Sequence, residues 1–262
     1  MKPLLLRALG MRSTSGHGPL LPTWLSAYLH LSTVLLGLFI VAAIAAPLIS
    51  PQNPYDPLQI SLVVSFTSAA LAAIIGLTAG VTAAYFKGWI DVVIMRIVDL
   101  QLSLPTILVA LIAIVALGPG VDRIILALVI AQWAAYARLV RGVALSETQK
   151  PYMDAARLMR LPTRRVIFRH LLPNSIAPAI SLIPIEVGHA VALEATLSFL
   201  GLGVPLDKPS LGSAVANGFQ YLLTGQYWIS LFPGLALFCL IATINFTGEH
   251  VRLRLDPGSN LR

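Results

Sequence analysis

Charge is scarce in this 262-residue chain: 11% of its residues are charged and 57% are hydrophobic, too little polar side chain to cover a water-soluble globule of that size. A soluble enzyme or binding module is excluded on that ground. Cysteine is almost absent as well. The single Cys239 lies inside an apolar run, so neither an intrachain disulfide nor a thiolate metal centre is available. Three motifs that handle nucleotide or metal are missing: a GxxxxGK phosphate loop followed by Ser or Thr, an HExxH pair and a paired CxxC. No catalytic residue, metal site or bound cofactor is therefore expected, and if ATP drives a process here, a partner subunit must bind it with its Mg. Acidic residues number only 11 against 18 basic ones, a net charge of +7. The basic residues are spread over several loops, which suits an anionic lipid surface and not nucleic acid.

What the chain has in abundance is long apolar runs. Six segments approach or reach the ~20 residues that cross a ~30 Å hydrocarbon core: Ala27 to Leu48, Ser61 to Tyr85, Pro105 to Leu117, Ile124 to Val140, Ile176 to Leu197 and Trp228 to Thr247. The third is short and needs help from the less apolar Ile90 to Leu104 before it can cross. The first is too long, and starts too late, for a cleaved secretory signal. Basic residues decide the orientation, because inner loops retain Lys and Arg. With the N-terminus inside, sixteen of the 18 fall on the inner side and only Arg123 and Lys208 on the outer. The expected organisation is an inner tail at 1–26, a first transmembrane helix at 27–50, a short outer loop at 51–60, a helical core at 61–248 and an inner tail at 249–262. Both ends are expected in the cytoplasm. The fold class is all-α, a polytopic bundle of about six spans.

Two connections stand out. The outer segment from Leu197 to Tyr227 carries seven Gly and Pro residues among apolar ones, so it reads either as a re-entrant or surface-lying piece or as a packed loop. The longest inner loop, 146–173, reads as a helix-turn-helix. Pro151 suits a first helical turn, Asp154 sits near the positive end of the dipole, and Leu161-Pro162 stops the helix. A second helix, Thr163 to Leu172, starts with a Thr able to cap it and ends at Pro173. Ala155 and Ala156 would let a partner surface approach closely, Asp154 offers a carboxylate, and the Arg cluster can pair with acidic groups.

Asp154-Ala155-Ala156 followed by Arg169-His170-Leu171-Leu172-Pro173-Asn174 resembles the EAA loop of ATP-binding-cassette importer permeases. Ordered matches narrow the resemblance to the dipeptide, oligopeptide and nickel branch and its C-type member. They include Tyr85-Phe86-Lys87-Gly88-Trp89-Ile90-Asp91, Met95-Arg96-Ile97-Val98-Asp99, Tyr136-Ala137-Arg138-Leu139-Val140-Arg141-Gly142, Leu197-Ser198-Phe199-Leu200-Gly201-Leu202-Gly203-Val204 and Phe232-Pro233-Gly234-Leu235. The resemblance implies a type I importer permease in a bacterial cytoplasmic membrane. It would form half of a path for peptides, nickel or other metal chelates, or related small solutes. Implied partners are a homologous second permease, two ATPase subunits and a periplasmic or lipid-anchored solute-binding protein. The residues implied in coupling to the ATPase are Asp154, Ala155, Ala156, Arg157, Arg160, Leu161 and Pro162. Arg160 stands where that family has Gly, so a turn needing positive φ would cost roughly 1 kcal/mol here. The family's outer stretch between the first two spans is also missing, since Pro57 runs directly into Leu58, which predicts a reduced outer vestibule.

Within the fifth apolar segment stand Glu186, His189 and Glu194. At 1.5 Å per residue Glu186 lies about 15 Å deep, and the three fall within an arc of roughly 140°. Intramembrane ionisable groups avoid lipid, so Glu186 and His189 either line a path for a cationic or zwitterionic solute or pair with each other at i, i+3 or with a neighbouring helix. Glu194 is a further path candidate, although the resemblance, with Glu-Ala at that place, implies an architectural role. Two ligands are too few for a defined metal site. The competing reading is a stand-alone secondary transporter, which usually shows repeated halves, and none is evident. A membrane hydrolase would need a nucleophile facing His189, and the sequence offers no obvious one.

Overall fold

The computed structural model describes residues 33–41, 57–205 and 209–255, and among them there is no β-strand. Residues 33–41 form helix α1; the rest of the first expected span and 51–56 of the outer loop lie outside the described residues, whereas 57–60, expected in that loop, already begin the next helix. The remaining helices are α2 (Pro57–Phe86), α3 (Gly88–Leu102), α4 (Thr106–Leu117), α5 (Val121–Glu147), α6 (Pro151–Leu158), α7 (Thr163–Val166), α8 (Leu172–Phe199), α9 (Leu211–Phe219) and α10 (Trp228–Leu255). Helices α2, α5, α8 and α10 are long and apolar enough to cross a membrane, and α3 with α4 makes at most a fifth crossing. The expected spans near 61–85, 124–140, 176–197 and 228–247 are thus present, each with longer ends.

Helices α2 and α5 form the centre because α2 carries a stripe of small residues. Gly76 lies so close to α5 that an added Cβ would stand 2.4 Å from the Tyr136 Cβ, and at Gly80 it would stand 2.7 Å from the Ala137 carbonyl oxygen. Such close backbone approach replaces the hydrophobic driving force that lipid cannot supply between apolar helices. On this pair pack α4 and α8 at one end, through Ala110, Ala113, Ile114 and Leu197, and α6 with the start of α8 at the other.

The third crossing is not one straight helix. Helices α3 and α4 meet at 97° across a break of at most four residues. Pro105 accounts for the break, since it keeps Leu104 out of the α region and cannot itself bond backwards. Helix α4 alone has 12 residues, about 18 Å, too short to cross. Helix α3 runs antiparallel to α5, with Val98 packed against Ala134 and Ala137. Two ion pairs fasten it: Asp91 receives both the Nε and the Nη2 of Arg141, the latter at 2.6 Å, and Asp99 pairs with Arg138. Gln101 Nε2 donates to the carbonyls of Ile130 and Ala131 at 2.5 and 3.1 Å. The polar content that weakened this span in the sequence is what holds it to α5.

The outer segment is a packed piece in its first part. Ser210 and Ser213 form a reciprocal capping box for α9. Gly212 leaves room for the backbone of Ala195, and Gly218 for that of Ser230. From Gln220 to Trp228 the chain is exposed, and the side chain of Leu223 is fully open.

Candidate functional site

After Glu147, at the C-terminal end of α5, the chain turns and lays α6 back against the bundle. Glu147 closes α5 and is buried; it accepts from Lys150 Nζ at 2.6 Å and from the Tyr152 hydroxyl at 2.8 Å. Burial, then its donation to Glu147, pushes the Tyr152 phenol up to about 12, so it remains a donor at any physiological pH. Met153 and Ala156 on α6 are buried with Val81 and Ala84 of α2 and Val140 and Ala144 of α5. The short helix is therefore welded to the core by one face. Its other side presents Asp154 and Ala155, and its end presents Leu158 and Met159, 84% and 67% exposed.

The two alanines consequently differ. Ala155 faces outward as expected, but Ala156 is turned into its own subunit and packs there, so it cannot be a contact for a partner. The side chain of Arg157 lies outside the described residues. Arg160 adopts φ 50°, the left-handed conformation for which a Gly is usual. The Leu161 N–H donates to the Ala156 carbonyl at 3.2 Å, the six-to-one bond of a Schellman ending. Leu161 packs on the cluster holding Ala156, and Pro162 follows as the helix-stopping residue.

The second helix of this loop departs from expectation at both ends. Pro162, and not Thr163, is the N-cap, its carbonyl accepting from Arg165 and Val166 at 2.8 and 3.2 Å. Pro173 does not end the helix: a π-helical turn, Ile167–Leu171, joins α7 to α8. The wider turn absorbs the hydrogen bond that proline cannot donate. Lever and fifth span are one continuous rod, on which Phe168, 62% exposed, and Arg169 face outward.

Along that rod the three ionisable residues separate into two sites. Glu186 is buried, and His189 Nδ1 lies 3.8 Å from its Oε1 while the imidazole side chain is 64% exposed. Glu194 is not with them. Its carboxylate is fully buried near the C-terminal end of α8, where Oε2 accepts from Ser61 at 2.9 Å and Oε1 from Ser198 at 2.6 Å. Ser61 in turn accepts from the Leu211 N–H at 3.2 Å, and Ser198 from the Val204 N–H at 3.4 Å. Glu194 thus ties the start of α2, the end of α8 and the approach to α9 together. Neighbouring helices cover that part of α8, so Glu194 takes the architectural place and not the path-lining one.

Comparison with known proteins follows the same outline. The model of the binding-protein-dependent transport system inner membrane component family matches residues 72–259, taking in everything from the middle of α2 through the inner loop to α10. The chain belongs to that family. It is a permease subunit of an ATP-binding-cassette importer and a multi-pass membrane protein. A putative peptide transport system permease of Brucella suis biovar 1 is 41% identical over 199 residues, 76% of this chain and 67% of that one. A dipeptide transport system permease of Bacillus subtilis is 34% identical over 76% of this chain and 62% of its own length. A glutathione transport system permease of Pectobacterium atrosepticum is 34% identical over 76% and 66%. The matched part thus spans about two thirds of these relatives. The secondary-transporter reading finds no support among them.

The permease also shares its fold with the methionine importer MetNI in inward-facing conformations, with a TM-score of 0.61 at 21% identity over 76% of this chain and 94% of that one. The sequence reading missed the residues that partner its candidates. Gln132 Nε2 donates to the Glu186 carbonyl at 2.9 Å, and Tyr136 is fully buried on the same helix. Both are polar residues one turn apart in an otherwise apolar run, a signal that a helical count of polar positions in α5 would have caught.

Proposed function

We propose that this permease forms half of the translocation path for short peptides, together with a homologous second permease, and that two ATPase subunits drive it through the 146–173 loop. Peptides are the solute class because the relatives at 41% and 34% identity are named for peptide or dipeptide transport. The observation that carries the coupling assignment is the two-sided build of α6. One face is fixed in the core by Met153 and Ala156, while Leu158 and Met159 stand open beside Asp154 and Ala155, outside every membrane-crossing helix. Large apolar side chains held rigidly in such a place suit a protein socket. The direct connection of α7 through the π turn to α8 gives the socket a rod to push.

In this account an extracytoplasmic binding protein delivers the solute, ATP and its Mg reside in the ATPases, and closure of the ATPases shifts the bundle between inward- and outward-open populations. The inner loop and both termini are cytoplasmic, in keeping with the distribution of Lys and Arg. Reconstitution of the permease pair, ATPases and binding protein in liposomes tests the reading. Uptake of a labelled dipeptide that requires both ATP and the binding protein is expected. Uptake by this chain alone, driven by an ion gradient, would overturn it.

A further inference from the structure

Glu186 is the fifteenth residue of the 28-residue α8, so it lies midway along that helix. Facing it from α5 are Gln132 and Tyr136, respectively 2% and 0% exposed. The Gln132 amide is oriented by its bond to the Glu186 carbonyl, and Tyr136 packs with Leu182 and Ile183, one turn before Glu186 on α8. The Oε1 of Gln132 and the hydroxyl of Tyr136 have no hydrogen-bond partner among the described residues, an expensive condition for buried polar atoms. All three groups can accept a hydrogen bond, and among the described residues the ion-pair contact of Glu186 is the imidazole at 3.8 Å.

The open side of this cluster is polar too. His189 is 64% exposed in its side chain, and exposed Asn245 of α10 lies against Gly188, the residue before it, its Oδ1 3.1 Å from where a Cβ there would be. An exposed imidazole and an exposed carboxamide within membrane-crossing helices are costly against lipid and belong on a wet path or a bundle interior. A carboxylate backed by two buried acceptors and reached through a polar opening selects positive charge.

We propose that Glu186, with Gln132 and Tyr136 behind it and His189 and Asn245 at its mouth, is a solute-facing site for a cationic group such as the terminal ammonium of a peptide. The proposal rests on the permease being half of a translocation path. Glu186 supplies the charge, Gln132 and Tyr136 take the remaining ammonium protons, and His189 covers the site when it is empty.

The test uses the assembled complex of permeases and ATPases in liposomes, in a Cys239→Ala background carrying His189→Cys. The introduced thiol is exposed to two water-soluble methanethiosulfonates of similar size, one with a trimethylammonium group and one with a sulfonate. Modification by the cation roughly tenfold faster than by the anion is expected from a carboxylate a few ångströms away. That preference should collapse when Glu186→Gln is added. No modification by either reagent, or a preference unchanged by Glu186→Gln, overturns the site. Should His189→Cys fail to assemble, Asn245→Cys reports on the same mouth and carries the same expectations. ATP hydrolysis by the wild-type complex in matching liposomes, with and without binding protein, reports separately on the importer reading. Absent hydrolysis with intact cation-selective labelling would overturn coupling, whereas normal hydrolysis without labelling would overturn only the site.

Discussion

The N–H of Leu161 reaches back 3.2 Å to the carbonyl of Ala156, and the bond exists because Arg160 between them accepts φ 50°. A side chain at that φ costs roughly 1 kcal/mol relative to glycine. Arg160→Gly is therefore expected to stabilise the loop, by about 0.5 kcal/mol once the greater freedom of the unfolded chain is subtracted. Arg160→Val should destabilise it by about 1 to 2 kcal/mol, because a β-branched residue tolerates positive φ poorly. Thermal unfolding in detergent, compared across the three proteins, checks both signs.

Two glycines should behave oppositely. Gly76→Ala places a methyl 2.4 Å from the Tyr136 Cβ, with backbone atoms of Trp133 and Ala137 at 2.6 and 2.9 Å, so the central helices must separate, at a cost of about 3 kcal/mol. Gly142, within α5, has nothing within 4 Å of an added Cβ. Gly142→Ala should be neutral or stabilising by up to about 1 kcal/mol, since glycine is a poor helix former. Folded yield and the unfolding midpoint distinguish the two.

Glu194 is expected to be a structural residue. Glu194→Ala strands the hydroxyls of Ser61 and Ser198 in a buried place, at a cost of roughly 2 to 3 kcal/mol, and frees the link to α9. Limited proteolysis should then cut between 200 and 211 much faster than in the wild type. If cleavage there is unchanged, the clamp does not hold the outer segment.

These contrasts also mark what the sequence could disclose. The membrane class and four of the crossings were legible because apolar length is a property of each segment alone. The 97° break was not, because Pro105 announces an interruption but no direction. Pro173 misled for a related reason: a proline ends an ideal α-helix, yet a π turn lets the chain pass through it. Ala155 and Ala156 look equivalent in the sequence, and only the packing of Met153 and Ala156 against α2 and α5 tells the inner face of α6 from the outer one. Likewise Glu186 and Glu194 could be placed on one helix face, but not assigned to different neighbours, until Gln132 and Ser61 were located beside them.

The claim that α6 is the contact for the ATPases is tested most directly by co-purification of the permease with its ATPases, comparing wild type with Leu158→Asp and Met159→Asp. Both side chains are largely exposed, so the variants should fold as the wild type does, with unchanged unfolding midpoints. The account predicts that each loses most of the bound ATPase, since a carboxylate pressed into an apolar socket is left unpaired. ATPase retained at wild-type levels by both variants would contradict it.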